Sequence, residues 1–292
     1  MTKLRYLDAN TYYKTRFGKK IYKASIGLAR TCPNRDGTKG EGGCIFCSEG
    51  GSGEFSVFED DTGKALDRAI SMVGRKAGPD AGYVAYFQSF SNTYLPPERL
   101  DRAISEARKD PRIVQCAIAT RPDCLPDPVM EVLSRHAKEF PLMVELGLQT
   151  ANDRTGEYIN RCFDTECFKE AVRKLTDIGC ETTAHVIFGL PGENMDDMMG
   201  SVRTASCCTG LKFTCLYVPK GTKIAEIWER GELEVLGMEE YFDIVERALE
   251  QVPDGKVIFR LTGDCPKSLL LAPMWTADKR KVINYINRRF GV

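Results

Sequence analysis

The residues in this chain best suited to chemistry lie in one stretch, Cys32-Pro-Asn-Arg-Asp-Gly-Thr-Lys-Gly-Glu-Gly-Gly-Cys44-Ile-Phe-Cys47. Three thiolates without a fourth ligand nearby leave an incomplete shell for a structural zinc, which takes four protein ligands. A [4Fe–4S] cluster held by three cysteines instead keeps one iron free of protein, and that iron can bind a reactant. Eleven residues separate Cys32 from Cys44, and two separate Cys44 from Cys47. Arg35, Lys39 and the glycines at 37, 40, 42 and 43 fill the long gap. They are expected at the rim that a substrate must pass.

The elements around this loop alternate. Apolar strands are expected at Ile21–Ala29, Gly82–Phe87, Ile113–Ala119, Leu142–Leu148, Glu181–Phe188 and Leu211–Val218. Helical spacing fills Asp61–Arg75, Pro97–Lys109, Pro128–Phe140, Thr165–Ile178 and Asn194 to about Cys207. Repeated βα units imply a parallel sheet with right-handed crossovers. Six of them fit an α/β fold of the incomplete (β/α)6 TIM-like barrel type. The segment from 231 on, with a helix at Met238–Gln251, a strand at Val257–Leu261 and a helix at Asp278–Phe290, reads as a small C-terminal α/β cap. The expected divisions are a basic arm and first strand (1–30), a partial barrel (31–230) and the cap (231–292).

In parallel β/α folds, working residues gather at the carboxyl ends of strands. Every unusual motif here falls at such an end: the cysteine loop, Gln88-Ser89-Phe90-Ser91-Asn92-Thr93, Thr120-Arg121-Pro122-Asp123, Gln149-Thr150, Gly189-Leu190-Pro191-Gly192-Glu193 and Val218-Pro219-Lys220-Gly221-Thr222. Period-2 alternation puts Glu145, Gly147 and Gln149 on one face of their strand, pointing into the lumen. His185 shares a face with Ile187 and Gly189; it is either a lumen acid/base or a hydrogen-bonded core histidine.

Composition narrows the class. The chain has 292 residues, 41 basic and 41 acidic, and its amino terminus carries no signal-peptide pattern. No apolar run approaches the roughly 20 residues of a membrane span, so a cytoplasmic protein is expected. Twelve cysteines then read as metal ligands, reactive thiols or small core residues rather than a disulfide framework. Cys116, Cys180 and Cys215 belong with the core, and Cys207-Cys208 with core or surface. Cys124, Cys162 and Cys167 fall near the catalytic end, where Cys162 and Cys167 are candidates for an auxiliary cluster, a radical relay or a resolving thiol. Charge is uneven: residues 1–30 hold eight basic side chains and 276–292 hold five. Basic ends suit a polyanionic partner, or are simply solvated faces.

A three-cysteine loop after the first strand of a partial barrel resembles the radical S-adenosylmethionine (SAM) enzymes. The long first gap, Thr120-Arg121-Pro122-Asp123-Cys124, His185-Val-Ile-Phe-Gly-Leu-Pro-Gly-Glu193 and Arg260-Leu-Thr-Gly-Asp264 are similar to the branch of the Elongator catalytic subunit and its bacterial relatives. The resemblance implies that Cys32, Cys44 and Cys47 bind a [4Fe–4S] cluster whose fourth iron chelates SAM. It further implies reductive cleavage of SAM to a 5′-deoxyadenosyl radical that abstracts hydrogen, with electrons from a partner such as flavodoxin or ferredoxin. The turn at Gln88-Ser89, with Asn92 and Thr93, would take the SAM amino group, although it departs from the common Gly-Gly-Glu. Gln149 with Arg161 is similar to a pair that holds the SAM carboxylate, and Gly189 would let backbone approach the adenine.

The same branch implies a tRNA partner and a wobble uridine bearing a side chain at carbon 5, with remodelling of a carboxymethylaminomethyl group. Basic Lys14–Lys23 and Lys279–Arg289 would then hold phosphates, and Tyr12, Tyr13, Phe17 and Tyr22 would either stack on bases or pack the arm over the barrel. The alternatives are oxidation of a small acid or tetrapyrrole, as in the coproporphyrinogen-oxidase-like branch, and a zinc-stabilised binding module.

Overall fold

The computed structural model describes residues 6–291; Lys3 and Arg5 of the basic arm lie outside them. In chain order the elements are β1 (Leu7–Asp8), α1 (Ala9–Phe17), β2 (Ile21–Ile26), α2 (Thr62–Val73), β3 (Gly82–Phe87), α3 (Pro97–Ala107), β4 (Ile113–Thr120), α4 (Asp127–Ala137), β5 (Leu142–Gln149), α5 (Asp153–Tyr158), α6 (Thr165–Asp177), β6 (Glu181–Phe188), α7 (Met195–Ala205), β7 (Gly210–Cys215), β8 (Val218–Pro219), α8 (Lys223–Glu229), α9 (Met238–Gln251), β9 (Val257–Arg260), β10 (Leu270–Ala272) and α10 (Lys279–Phe290). Eight strands form one parallel sheet in the order β1-β9-β7-β6-β5-β4-β3-β2, a curled half-barrel with helices on its outer face. This is the incomplete barrel expected from the alternating pattern.

The outer face of the sheet and the inner faces of the helices bury one apolar layer. Leu66, Leu100, Ile104, Leu133, Phe168, Leu175, Val202 and Phe213 are fully buried in it, each contributing about 1.5–3 kcal/mol by leaving water. Cys116, Cys180, Cys208 and Cys215 lie in the same layer, as small apolar residues do.

Two departures from the expected elements matter for the site. The last expected strand is divided. β7 stays in the main sheet, while β8 turns away and pairs antiparallel with β10, where Pro219 has no N–H to lose from a ladder. The strand expected within the C-terminal segment, β9, pairs with β7 and with β1, so it extends the lumen wall.

The amino-terminal arm is a helix. Asp8 caps α1 by accepting from the backbone N–H of Asn10 at 2.9 Å. Tyr13 is buried with Tyr86, Ala117 and Met143, and Tyr12 and Phe17 pack beside it. Tyr12 and Arg16 both donate to Glu181, the first residue of β6, which also accepts from Gln115 at 2.6 Å. Thus α1 fills the floor of the half-barrel, opposite the strand ends that carry the cysteine loop. The aromatics Tyr12, Tyr13 and Phe17 pack here, and Tyr22 lies against Tyr83 with its hydroxyl on the carbonyl of Lys76. Of the two readings of these side chains, packing is the one observed.

Candidate functional site

The cysteine loop is held by its own polar residues. Asn34 is fully buried; its amide donates to Cys44 Sγ at 3.6 Å and to the carbonyl of Asn160 at 2.5 Å. Asn160, in the left-handed region at φ 55°, donates back to the carbonyls of Glu41 and Gly43. Arg35 folds beneath the second half of the loop and donates to the carbonyls of Cys47 (3.0 Å), Ser48 and Glu49. Lys39 reaches across to Asp123 at 2.9 Å. The long first gap is therefore used: it supplies the residues that tie the loop to the segments following β4 and α5.

Cys32, Cys44 and Cys47 line one cavity together with Gln88, Ser89, Arg121, Glu145, Gly147, Gln149, Arg161 and His185. Desolvation pushes the Cys44 thiol up to about 12, and it also raises Cys47 despite nearby Arg35. Among the described residues, no three His, Cys, Asp or Glu side chains converge on a point where a single metal ion would sit. Three soft thiolates facing one cavity fit a [4Fe–4S] cluster with one iron free of protein, whereas a structural zinc takes four protein ligands.

Three of the strands leave the sheet through backbone in the positive-φ region, which is strained at the non-glycine positions. Ser89 and Phe90 after β3, Gln149 at the end of β5 and Gly189 after β6 all have positive φ, between 50° and 90°. Asn92 fixes the first of these turns. Its oxygen accepts from the N–H groups of Leu28 and Ala29, and its amide donates to Phe87, Ser89 and Ala119, which uses its hydrogen-bonding capacity. Thr93 bonds Thr120 and the carbonyl of Cys124, away from the cysteines. Gly189 sits where a Cβ would lie 2.8 Å from Leu236.

Arg161 is fully buried and lies over the ring of Phe163 at 4.5 Å. It donates to the carbonyls of Leu148, Thr150 and Phe163 and to Asp153, so four of its five N–H groups hold the β5 exit in shape. Arg121, beside it over the same ring, grips Asp123 with two bonds of 2.9 Å and donates to the carbonyl of Arg161.

Glu145 is the centre of the lumen and is 1% exposed. It accepts from Tyr86 at 2.5 Å, Lys23 at 3.1 Å, His185 at 3.0 Å and Lys212. Burial opposes its ionisation, yet Lys212, Lys23 and His185 together hold it well below the usual carboxylate range. His185 is pushed down to about 4, by burial and by Lys212 against the opposing pull of Glu145, so it is neutral and donates its Nε2–H. Lys212 is pushed down as well, because burial and the charges of Lys23 and Arg260 outweigh Glu145. Both lysine ammonium groups lie over the face of Tyr86, at 4.2 and 4.8 Å.

The structure thus brings Glu145, His185, Gln149, Arg161, Gln88 and Ser89 to the cysteine cavity. Cys167 is elsewhere, in a lateral groove of about 710 Å³ with Cys124, Lys39, Thr93 and Pro126. Cys162 is exposed on the cysteine loop's outer side, 2.9 Å from Asn34 Oδ1. Lys212 has no counterpart among the sequence motifs, whereas Arg121 belongs to the Thr120-Arg121-Pro122-Asp123 motif at the end of β4. The signal for Lys212 was a lysine inside the apolar run Gly210-Leu-Lys-Phe-Thr-Cys215, a placement that burial makes costly without a partner.

Comparisons with known proteins agree with this geometry. The Radical SAM superfamily profile matches residues 28–205, and the Radical_SAM C-terminal domain matches 208–291. The chain is 38% identical over 289 residues to the uncharacterized protein YtqA of Bacillus subtilis, covering 98% of this chain and 90% of that protein. It is 27% identical over 202 residues to a tRNA uridine(34) acetyltransferase of Methanocaldococcus jannaschii, covering 65% of this chain and 36% of that protein. The solved structure of Elp3 from Methanocaldococcus infernus superposes with a TM-score of 0.64 at 15% identity, over 93% of this chain and 63% of that one. Members of the matched superfamily use a [4Fe–4S] cluster and SAM, and the residues facing the cavity fit both. The chain belongs to the radical SAM superfamily.

Proposed function

We propose that this protein is a cytoplasmic tRNA-modifying enzyme that acts on a wobble uridine carrying an acidic side chain at carbon 5, of the carboxymethylaminomethyl kind. Cys32, Cys44 and Cys47 would hold the cluster, with SAM over Gln88, Ser89 and Gln149 and electrons from a flavodoxin- or ferredoxin-like donor. The chemistry supplied when both are bound is reductive cleavage of the sulfonium and hydrogen abstraction from the substrate. The protein's part is to position a base in the lumen and exclude water around it.

The observation that carries the reading is the placement of the two basic ends. With α1 in the floor, its one lysine, Lys14, lies at the end of the half-barrel opposite the cysteine cavity. The first turn of α10 sits at the mouth: Lys279 pairs with Asp264 at 3.0 Å and lies 5.3 Å over the ring of Phe55, in the segment after the cysteines. Arg280, Lys281 and Arg288 beyond it are exposed, as are Phe55 and Met274. A basic helix with an exposed aromatic beside the mouth suits a phosphate backbone and an unpaired base. The likeness to a protein named tRNA uridine(34) acetyltransferase supports the same substrate class. Among the described residues, no helix is long and apolar enough to cross a membrane.

The test is anaerobic reconstitution followed by SAM cleavage with bulk tRNA and, separately, with small acids. Stimulation by tRNA is expected to fall about tenfold on reversing charge at Arg280, Lys281 and Arg288 together, and to be unaffected by reversal at Lys19 and Lys20. Stimulation by a small acid alone overturns the reading.

A further inference from the structure

The lumen carries more positive charge than its own carboxylate balances. Glu145 is shared by Lys23 and Lys212. Arg260 stands next to them: strand pairing aligns His185 with Lys212 and Lys212 with Arg260, so three neighbouring strands present these residues at one level. The register shift between β7 and β9 brings Arg260 to this level, directly after Phe259, which is spent on the floor against Tyr12 and Tyr13. The charge of Arg260 is felt at Tyr86, His185, Lys212 and Tyr217. Among the described residues, its guanidinium has neither a carboxylate nor a hydrogen-bond acceptor, and Asp264 nearby is taken by Lys279. The hydroxyl of Tyr217, packed against Gly263 three residues on from Arg260, is buried and also lacks a partner. On the other side of His185 the same level holds Gly147, whose face is covered by the side chain of Gln149.

We propose that the level formed by His185, Lys212 and Arg260 is the seat of a carboxylate on the substrate, with Arg260 and the Tyr217 hydroxyl as its donors. A guanidinium with free N–H groups matches a carboxylate's two oxygens, and an unpaired buried hydroxyl supplies a third bond. Glu145 keeps the two lysines in place and excludes a second anion, so the seat takes one negative group. Neutral His185 faces that group without competing for it. This assignment rests on the reading of the lumen as the substrate chamber. The carboxylate can come from a modified nucleoside or from a free small acid, and the experiment separates the two.

The reconstituted protein is titrated with the nucleoside 5-carboxymethylaminomethyluridine and with its neutral amide, and in a second arm with acetate and acetamide, following chemical shifts of the probes. The nucleoside acid is expected to bind at least about tenfold tighter than its amide, as one lost charge-assisted contact implies. Arg260→Gln is expected to abolish that difference, and Arg260→Lys to restore part of it. Arg260 is half-buried at the last position of β9, so either variant should fold; circular dichroism of both checks this. Equal binding of acid and amide by the native protein overturns the seat while leaving the tRNA reading intact. Discrimination between acetate and acetamide with no binding of either nucleoside upholds the seat and overturns the tRNA reading. Discrimination that survives Arg260→Gln overturns the role of Arg260.

Discussion

Glu145→Gln tests the electrostatic account of the lumen. The substitution keeps the side chain's shape but removes the one negative charge between Lys23 and Lys212, both within salt-bridge distance of it. Lys212 is 1% exposed and cannot reach water without moving the strand. Breaking a buried pair from one side leaves an uncompensated charge and costs about 3–5 kcal/mol. At roughly 2–4 °C per kcal/mol for a chain of this size, the thermal midpoint should fall by about 10 °C. Removing both partners should cost far less, because Glu145→Gln with Lys212→Met leaves no stranded charge at that contact. The assay is thermal unfolding of the anaerobically reconstituted protein, followed by the fluorescence of Trp228 and Trp275. The double variant should recover at least half of the loss. A single variant within about 1 kcal/mol of the native protein, or a double variant no more stable than the single one, would refute the argument that Glu145 is the partner that makes burial of Lys212 tolerable.

Three further outcomes are expected. Serine at Cys32, Cys44 or Cys47 should abolish iron binding and visible absorbance, whereas Cys162→Ser and Cys167→Ser should retain roughly four irons per chain by metal analysis. Burial raises Glu193 to about 7, against 4.5 when exposed. The folded state therefore binds a proton more tightly than the unfolded state between these values, so its stability should fall as pH rises from about 4.5 to 7, by about 2–3 kcal/mol, and Glu193→Gln should flatten that slope in urea titrations at several pH values. Gly189→Ala should cost about 1–3 kcal/mol in the same titrations, since a positive φ and contact with Leu236 both oppose a Cβ.

Much of the architecture was legible because its signals are local. The strands β3 to β6 lie within a residue or so of the apolar runs that announced them, and the face shared by Glu145, Gly147 and Gln149 follows from period-2 alternation alone. The cysteines were legible from type and spacing. What escaped depends on distant partners. That α1 becomes a floor is decided by Phe259 and Glu181, far along the chain. That β9 joins the main sheet depends on a free edge of β7, which no local pattern reveals. Arg161 has the type and position of a ligand for a carboxylate, yet the carbonyls of Leu148, Thr150 and Phe163 claim most of its donors. A side chain's inventory is readable in sequence; who else competes for it is not.

The pairing of an amino-terminal with a carboxyl-terminal strand also bears on how the chain reaches its native state. β1 pairs Leu7 with Val257, and α1 rests its aromatic side chains on Phe259. During synthesis from the amino terminus, α1 is made first, and its seat is not complete until β9 has emerged some 240 residues later. The intervening strands can pair with sequential neighbours as they appear, but the floor waits. Contacts of such long sequence separation close slowly. A nascent chain stopped before residue 257 would carry Tyr12, Tyr13 and Phe17 without their aromatic neighbour Phe259, and the first helix to be translated would be among the last to dock.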